Sequence, residues 1–362
     1  MTESLFEKVD KERMGCIPIP LLEWYHKNAR VLPWREHPTP YRVWVSEIML
    51  QQTRVEAVRP YFQRFMEALP TIASLADASE ETLYKLWEGL GYYSRVKNLQ
   101  KAARVVMDSY GGQLPADHTA LLALPGIGPY TAGAIASIAF GIPAAAVDGN
   151  VLRVLARLLH KDQPMHTQKA KKDAESLLLS ILPDGFAGDF NQAMMELGAT
   201  VCIPGNPRCA FCPLKNYCLG RAAGCAADLP VRPEKKARRI ERRTVLIILC
   251  NQGVLLRQRP DKGLLGGLWE FPSRDGWNSP TEAISFIREL GGNGSIPERL
   301  EDSRHIFTHL EWHMIGYASF TPFFLPPDGW VWADGDALRS SFAIPSAYKP
   351  YLSRTLQLLQ KA

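Results

Sequence analysis

No stretch of the 362 residues approaches the roughly 18 consecutive apolar residues of a membrane-spanning helix, and the opening MTESLFEKVDKE is acidic without an apolar core. A signal or transit peptide and a membrane partner are therefore not expected, and the cytoplasm is the expected compartment. Strong charge of one sign is also missing: 42 Lys and Arg face 37 Asp and Glu, a formal net charge of +5 that says little by itself about nucleic acid. Seven cysteines are too few for a disulfide scaffold. What is present is 46% hydrophobic and 22% charged residues over a length that can build two or three domains with proper cores.

The run from Leu124 to Asn150, LPGIGPYTAGAIASIAFGIPAAAVDGN, puts a glycine turn, a small-residue helix and an isolated carboxylate in fixed order. Gly126 and Gly128 flank a turn whose helix starts after Pro129, where proline is tolerated in the first turn. Free backbone N–H groups and the positive end of the helix dipole favour an anion there, and a nucleic-acid phosphate would suit it. Gly-x-Gly on its own is equally a plain helix–helix turn. Asp148 closes a nearly uncharged run and precedes an expected helix Val151–Leu159. It reads as an N-cap whose ionised form is stabilised, which is compatible with supporting a developing cation.

Four cysteines form Cys202-x6-Cys209-x2-Cys212-x5-Cys218, after an expected helix Phe190–Val201, while Cys16, Cys225 and Cys250 stand apart. An all-sulfur set suits zinc or an iron–sulfur cluster. Zinc sites usually pair two short knuckles and this set has one, so a [4Fe–4S] cluster is favoured, structural or tuning DNA binding rather than transferring electrons. Arg208 and Lys215 between the thiols could face phosphates. Between Val231 and Arg243 seven Lys or Arg stand against two Glu, a basic linker able to touch phosphate.

PYRVWVSEIMLQQTR, residues 40–54, reads as a helix with Glu47 as its one acid and no cation three or four residues away. A solvated surface glutamate is one reading. Burial without a partner is the other, and it raises the pKa toward what a general acid needs near neutral pH. Glu47 driven toward neutral and Asp148 toward anionic would make an acid and anion pair of the kind that cleaves glycosidic bonds.

These features, in this order, resemble the helix-hairpin-helix DNA glycosylases, and more narrowly the adenine DNA glycosylases of the MutY type. The resemblance runs from about Ala29 to the C-terminus on VSEIMLQQT, GLGYYSR, LPGIGPYTAGAI, VDGNV, MELGATVC and the cysteine loop. Endonuclease III-type relatives carry a lysine where this chain has Tyr130. A lysine amine can form a Schiff base and cut the strand, so the resemblance implies a monofunctional enzyme. It further implies that Glu47 protonates adenine N7 and that Asp148, supported by Asn150 and Tyr130, stabilises the sugar cation. Trp34, Arg35 and Glu196 would line the flipped adenine, Gln52 and Tyr92 would insert into the base stack and take part in recognising 8-oxoguanine, and Ser94 and Arg95 would contact phosphate with Gly126 and Gly128.

In the C-terminal third, TVLIILC, GVLLRQR and GGLWEFP are β-rich and resemble a Nudix-related α/β sandwich. TEAISFIREL carries only Glu282 and Glu289 and lacks the double glutamate of metal-binding Nudix hydrolases, so no hydrolase activity is expected. Phe307-Thr308-His309 matches the family loop that probes 8-oxoguanine, where serine is common at the position of Thr308; threonine keeps the hydroxyl but stiffens the side chain.

The expected fold is thus multidomain. Residues 1–34 with 141–226 form a helical iron–sulfur domain, 35–140 a six-helix barrel with the hairpin, 227–243 a basic linker and 244–362 a Nudix-like domain. The expected activity is release of adenine mispaired with 8-oxoguanine or guanine in duplex DNA, by a bacterial, cytoplasmic, nucleoid-associated monomer. A bifunctional glycosylase and lyase, or a catalytically silent lesion-binding protein, are the competing readings.

Overall fold

The computed structural model describes residues 4–6, 8–231, 237–293 and 295–360. It divides into two compact units, Met1–Asp77 with Lys97–Glu234, and Ala78–Val96 with Lys235–Ala362. Among the described residues no helix is long and apolar enough to cross a membrane.

The first unit is helical. Its Pro40–Leu50 helix starts where the Thr39 hydroxyl accepts from the Arg42 backbone N–H and proline takes the first position. It stops at Leu50 rather than at Arg54 as its composition suggests, because Gln51 turns extended and Gln52 is left-handed, with φ +57°. The Gly149–Leu158 helix begins two residues earlier than expected because Asp148 caps it. The expected Phe190–Val201 helix is longer at its start, Ala187–Thr200. These last two share one apolar core with the N-terminal segment: Phe6, Met14, Leu21 and Tyr25 pack with Val151, Leu155, Phe190, Met194 and Leu197. Residues distant in sequence are brought together here by burial of one stripe on each helix.

The small-residue run becomes a Pro129–Ala134 helix that widens into a π-helical turn, Ile135–Ala139. Its glycine has a packing reason. A Cβ on Gly133 would lie 2.0 Å from the Ala145 carbonyl oxygen, so the extended chain leading to Asp148 presses against this helix. Gly133→Ala should destabilise the unit by about 1–3 kcal/mol, as overpacking does. Urea unfolding measures this, and an unchanged midpoint would show that the contact relaxes without cost.

The second unit is built on a mixed sheet of β1 (Arg239–Cys250), β2 (Gly253–Gln258), β3 (Trp269–Glu270), β4 (Ser273–Asp275), β5 (Glu298–Ile306), β6 (Leu310–Phe320) and β7 (Trp330–Ala333). The order is β3-β2-β1-β6-β5, with β4 on β1 and β7 on β2; β1 and β6 are parallel and the other pairs antiparallel. Alternation along β1 explains the sandwich. Val245, Ile247 and Leu249 pack with Tyr348, Tyr351 and Leu358, while Leu246 and Ile248 pack with Ala283, Ile287 and Leu290 of the Pro280–Glu289 helix. The α/β sandwich expected for this third is therefore what the chain builds.

The basic linker needs correcting. Its last five residues, Arg239 to Arg243, are already strand β1. Arg239 pairs with Glu241, the Arg242 guanidinium lies 4.6 Å from the centre of the Trp277 ring, and that of Arg243 lies 4.1 Å from Trp312. Residues 232–236 of the run lie outside the described residues.

Candidate active site

Glu47 is buried, 5% exposed, in a helix whose residues from Val43 to Met49 are all buried. The surface reading of this acid is therefore wrong. Its partner is Tyr130, whose hydroxyl donates to Glu47 Oε2 and also lies 3.3 Å from Met195 Sδ. Burial pushes the Glu47 carboxyl up to about 7, the Asp148 charge adds to this, and the Tyr130 hydrogen bond and Arg35 oppose it. Such a group can hold a proton near neutral pH.

Asp148 caps the Gly149–Leu158 helix: Oδ1 accepts from the Val151 N–H at 2.8 Å, and Oδ2 accepts from Asn150 Nδ2 at 2.7 Å. Arg153 donates to Asn150 Oδ1 at 2.8 Å, which fixes the amide so that its NH2 faces the aspartate. Arg153 also donates to the carbonyls of Gly198 and Cys202, at 2.8 and 2.9 Å. A Cβ on Gly198 would meet Asn150 Cβ at 2.6 Å, so only glycine allows the two helices this approach.

Two expectations about Asp148 fail. Tyr130 hydrogen-bonds Glu47 rather than Asp148, and its link to Asp148 is electrostatic, the aspartate charge helping to raise the tyrosine pKa. The two carboxyls are also not driven in opposite directions. Burial raises Asp148 above its ordinary value as well, outweighing the hydrogen bonds from Val151 and Asn150 and the charge of Arg153. An N-cap stabilises a carboxylate only as far as desolvation permits.

Glu196 is 1% exposed and grips two arginines, Arg30 through Oε1 at 2.6 Å and Arg35 through Oε2 at 3.0 Å. Burial alone would raise its pKa, but the hydrogen bonds and charges of both guanidinium groups carry it below the ordinary range. The helix-surface alternative for Glu196 is thereby excluded, and so is the plain surface-charge alternative for Arg35. Trp34 is 5% exposed and packs edge-on against Phe62, with ring centres 5.4 Å apart, so it is a core side chain.

The four cysteines Cys202, Cys209, Cys212 and Cys218 line one cavity with Val154, Leu158 and Leu197. Arg157, almost fully buried, donates to Cys202 Sγ at 3.3 Å and to the carbonyls of Ile203 and Leu229 at 2.8 and 2.9 Å. The backbone N–H of Arg221 points at Cys218 Sγ at 3.4 Å. Burial pushes the Cys212 thiol up to about 12, with its thiol neighbours adding to the shift. All seven cysteines are free, and among the described residues no His, Cys, Asp and Glu group is tight enough for a single metal ion. Arg208 and Lys215 are exposed.

The predicted DNA-facing residues divide. At the hairpin, Gly126 has φ +77° and Gly128 is extended, so only the first needs glycine for its backbone. Gln52 is exposed and left-handed; Tyr92, 46% exposed, is left-handed too, with φ +48°. Such strain in non-glycine residues gathers at functional sites. The Tyr92 hydroxyl lies 2.7 Å from Thr308 Oγ1, so two residues predicted to read the same base are hydrogen-bonded within the second unit. Thr308 and His309 are exposed in the turn between β5 and β6, and the Phe307 ring packs on Trp312 at 4.9 Å. Ser94 opens the Ser94–Tyr110 helix. Arg95 corrects its phosphate assignment: its guanidinium donates inward to the Leu90 and Gly91 carbonyls and lies over the Trp87 ring, and burial lowers its pKa to about 10. Of the two acids on the Pro280–Glu289 helix, Glu282 closes a capping box with Ser279 and Glu289 pairs with Arg274.

Arg30, Arg153 and Arg157 escaped the sequence reading, and Met195 and Gly198 were given no role although they lie in the MELGATVC motif. For the arginines the signal available was their concentration on the Gly149–Leu158 helix, at positions 153 and 157.

Residues 45–183 match the HhH-GPD superfamily of base excision DNA repair proteins, and residues 244–354 match the NUDIX domain. Among curated proteins, the adenine DNA glycosylase of Homo sapiens is 36% identical across 91% of this chain and 72% of its own length. That of Buchnera aphidicola is 36% identical across 81% of this chain and 83% of its own, and that of Mus musculus 39% across 80% and 68%. Among solved structures, a thermostable thymine-DNA glycosylase superposes with a TM-score of 0.54 at 28% identity, covering 60% of this chain and all of its own. A trapped endonuclease III–DNA covalent intermediate gives 0.51 at 26% identity, covering 59% of this chain and 98% of its own. With the buried acid, the capped aspartate and this likeness along most of the length in place, the chain belongs to the adenine DNA glycosylase family.

Proposed function

We propose that this protein hydrolyses the N-glycosidic bond of adenine mispaired with 8-oxoguanine or guanine in duplex DNA, leaving an abasic site without cutting the strand. Adenine DNA glycosylase activity in base excision repair follows from the family. The observation that carries the mechanism is the buried Glu47 carboxyl on the Tyr130 hydroxyl, within electrostatic reach of Asp148.

A base inside a duplex must be extruded before it can be reached, and the strained, exposed Gln52 and Tyr92 suit the role of filling the gap. Glu47, whose raised pKa of about 7 lets it hold a proton near neutral pH, then donates that proton to N7 of the flipped adenine and turns the base into a neutral leaving group. As the bond lengthens, positive charge grows on the sugar, and the Asp148 carboxylate, steadied by Asn150 and the Val151 N–H, stabilises it. Water completes the displacement. Tyr130 has no amine, so this position cannot form a Schiff base with the sugar, which supports base release without strand cleavage. Thr308 and Tyr92, already hydrogen-bonded, offer hydroxyls to the base opposite. One chain holds both carboxyls, which supports action as a monomer, and chromosomal DNA as substrate supports work at the nucleoid in the cytoplasm.

The four-cysteine cavity fits a [4Fe–4S] cluster: four thiols free of disulfides line one apolar-walled space. Cys202, Cys209, Cys212 and Cys218 would hold it, and bound there it would supply a covalent cross-link for the loop. Arg157 then places a guanidinium N–H on the Cys202 sulfur.

End-labelled duplexes with adenine opposite 8-oxoguanine, adenine opposite thymine, and an oxidised pyrimidine test this reading. Breaks should occur in the first duplex, and only after alkali. Breaks without alkali would make the protein a lyase, and none at all a silent lesion-binding protein.

A further inference from the structure

The Tyr130 hydroxyl has one hydrogen and two acceptors in reach, Glu47 Oε2 and, at 3.3 Å, the thioether sulfur of Met195. Met195 sits on the Ala187–Thr200 helix, next to the Glu196 that pairs with Arg30 and Arg35. While Glu47 is ionised, Tyr130 donates to it. Once Glu47 takes up a proton, its own O–H can donate to the Tyr130 oxygen, and in that arrangement the tyrosine hydrogen turns elsewhere. Met195 Sδ is the second acceptor placed to receive it.

We infer that Met195 is a positioning residue for the general acid: its sulfur accepts the Tyr130 hydrogen in the proton-loaded state and so favours Glu47 holding the proton that adenine receives. The exchange conserves atoms and charge. A proton from solvent binds the Glu47 carboxylate, the Tyr130 O–H rotates from Glu47 toward Met195, and no covalent bond of the tyrosine or methionine breaks. The other groups that act on Glu47 are Asp148, whose charge also favours the proton, and Arg35, whose charge opposes it but is paired with Glu196. Without the sulfur, the hydroxyl of a protonated pair would lose its buried acceptor, and the balance would move toward the carboxylate.

The inference rests on Glu47 being the acid. Its test is the pH dependence of single-turnover adenine release by the full-length protein on an adenine:8-oxoguanine duplex, with Met195→Leu, which keeps apolar volume and removes the acceptor. The alkaline limb should move down by about half a pH unit, whatever the height of the plateau, because a thioether is a weak acceptor and a hydrogen bond at the low end of the usual strength converts to a shift of that size. In a Tyr130→Phe background the same substitution should no longer move the limb. A limb that stays in place in Met195→Leu, a loss equal at every pH, or a shift that persists without the tyrosine hydroxyl would each overturn the role of the sulfur. Binding to a duplex with a non-cleavable adenine nucleotide confirms that each variant is folded. Glu47→Gln separates the two claims. If it releases adenine at full rate, the acid assignment itself fails; if it is inactive while the Met195→Leu limb is unmoved, only the methionine inference fails.

Discussion

Replacing Glu47 with glutamine should lower the single-turnover rate of adenine release by about 10²- to 10⁴-fold, the range that one general acid supplies. Glutamine keeps the length of the side chain and can still accept from Tyr130, so the helix and DNA binding should persist. The pH dependence makes the test sharper. The acid works in its protonated form and burial raises it to about 7, so the wild-type rate should be level below that pH. Above it the rate should fall tenfold per unit as Glu47 ionises. The residual rate of Glu47→Gln should be flat through the same window. A rate within threefold of wild type, or a variant that keeps the alkaline limb, would remove Glu47 from the acid role.

Glu196→Ala should cost about 3 kcal/mol of stability in chemical denaturation, because it strips the buried carboxylate that two guanidinium groups share. That value sits at the low end of the range for broken buried pairs, since Arg30 keeps 32% of its side chain in water. A second effect follows from the site. Arg35 already lowers the Glu47 pKa, and without Glu196 its charge acts on the acid unopposed. The alkaline limb of the rate profile should therefore move to lower pH as stability falls. Glu196→Gln, which retains an acceptor, should lose less on both counts. If alanine at 196 leaves both stability and pH profile unchanged, the ion-pair cluster does not support the site.

Much of this protein was legible in its residue order. The one acid in an apolar helix, the lone Asp148 ahead of an amphipathic helix, and the four-cysteine spacing are local patterns, and local patterns report local environments. The apolar run TVLIILC likewise announced a strand, which β1 is, and the structure buries it on both faces. Helix ends were less readable. Pro40–Leu50 stops where Gln52 adopts a left-handed conformation that nothing in QQT announces. Arg95 looked like a phosphate ligand from its neighbours alone, yet its guanidinium is turned into carbonyls of its own loop.

By itself the sequence determined which residues are the candidates for the chemistry, because Glu47, Asp148, Tyr130 and the thiols lie in short motifs whose composition is unusual wherever they fold. Tertiary structure alone decided how those groups are poised. Tyr130 meets Glu47 from 83 positions away, and Glu196 meets Arg30 from 166. Whether Asp148 ends above or below its ordinary pKa depends on how much water its neighbours exclude, set against three hydrogen bonds and the charge of Arg153. Desolvation and pairing are properties of assembled surfaces, and no stretch of chain contains both sides of them.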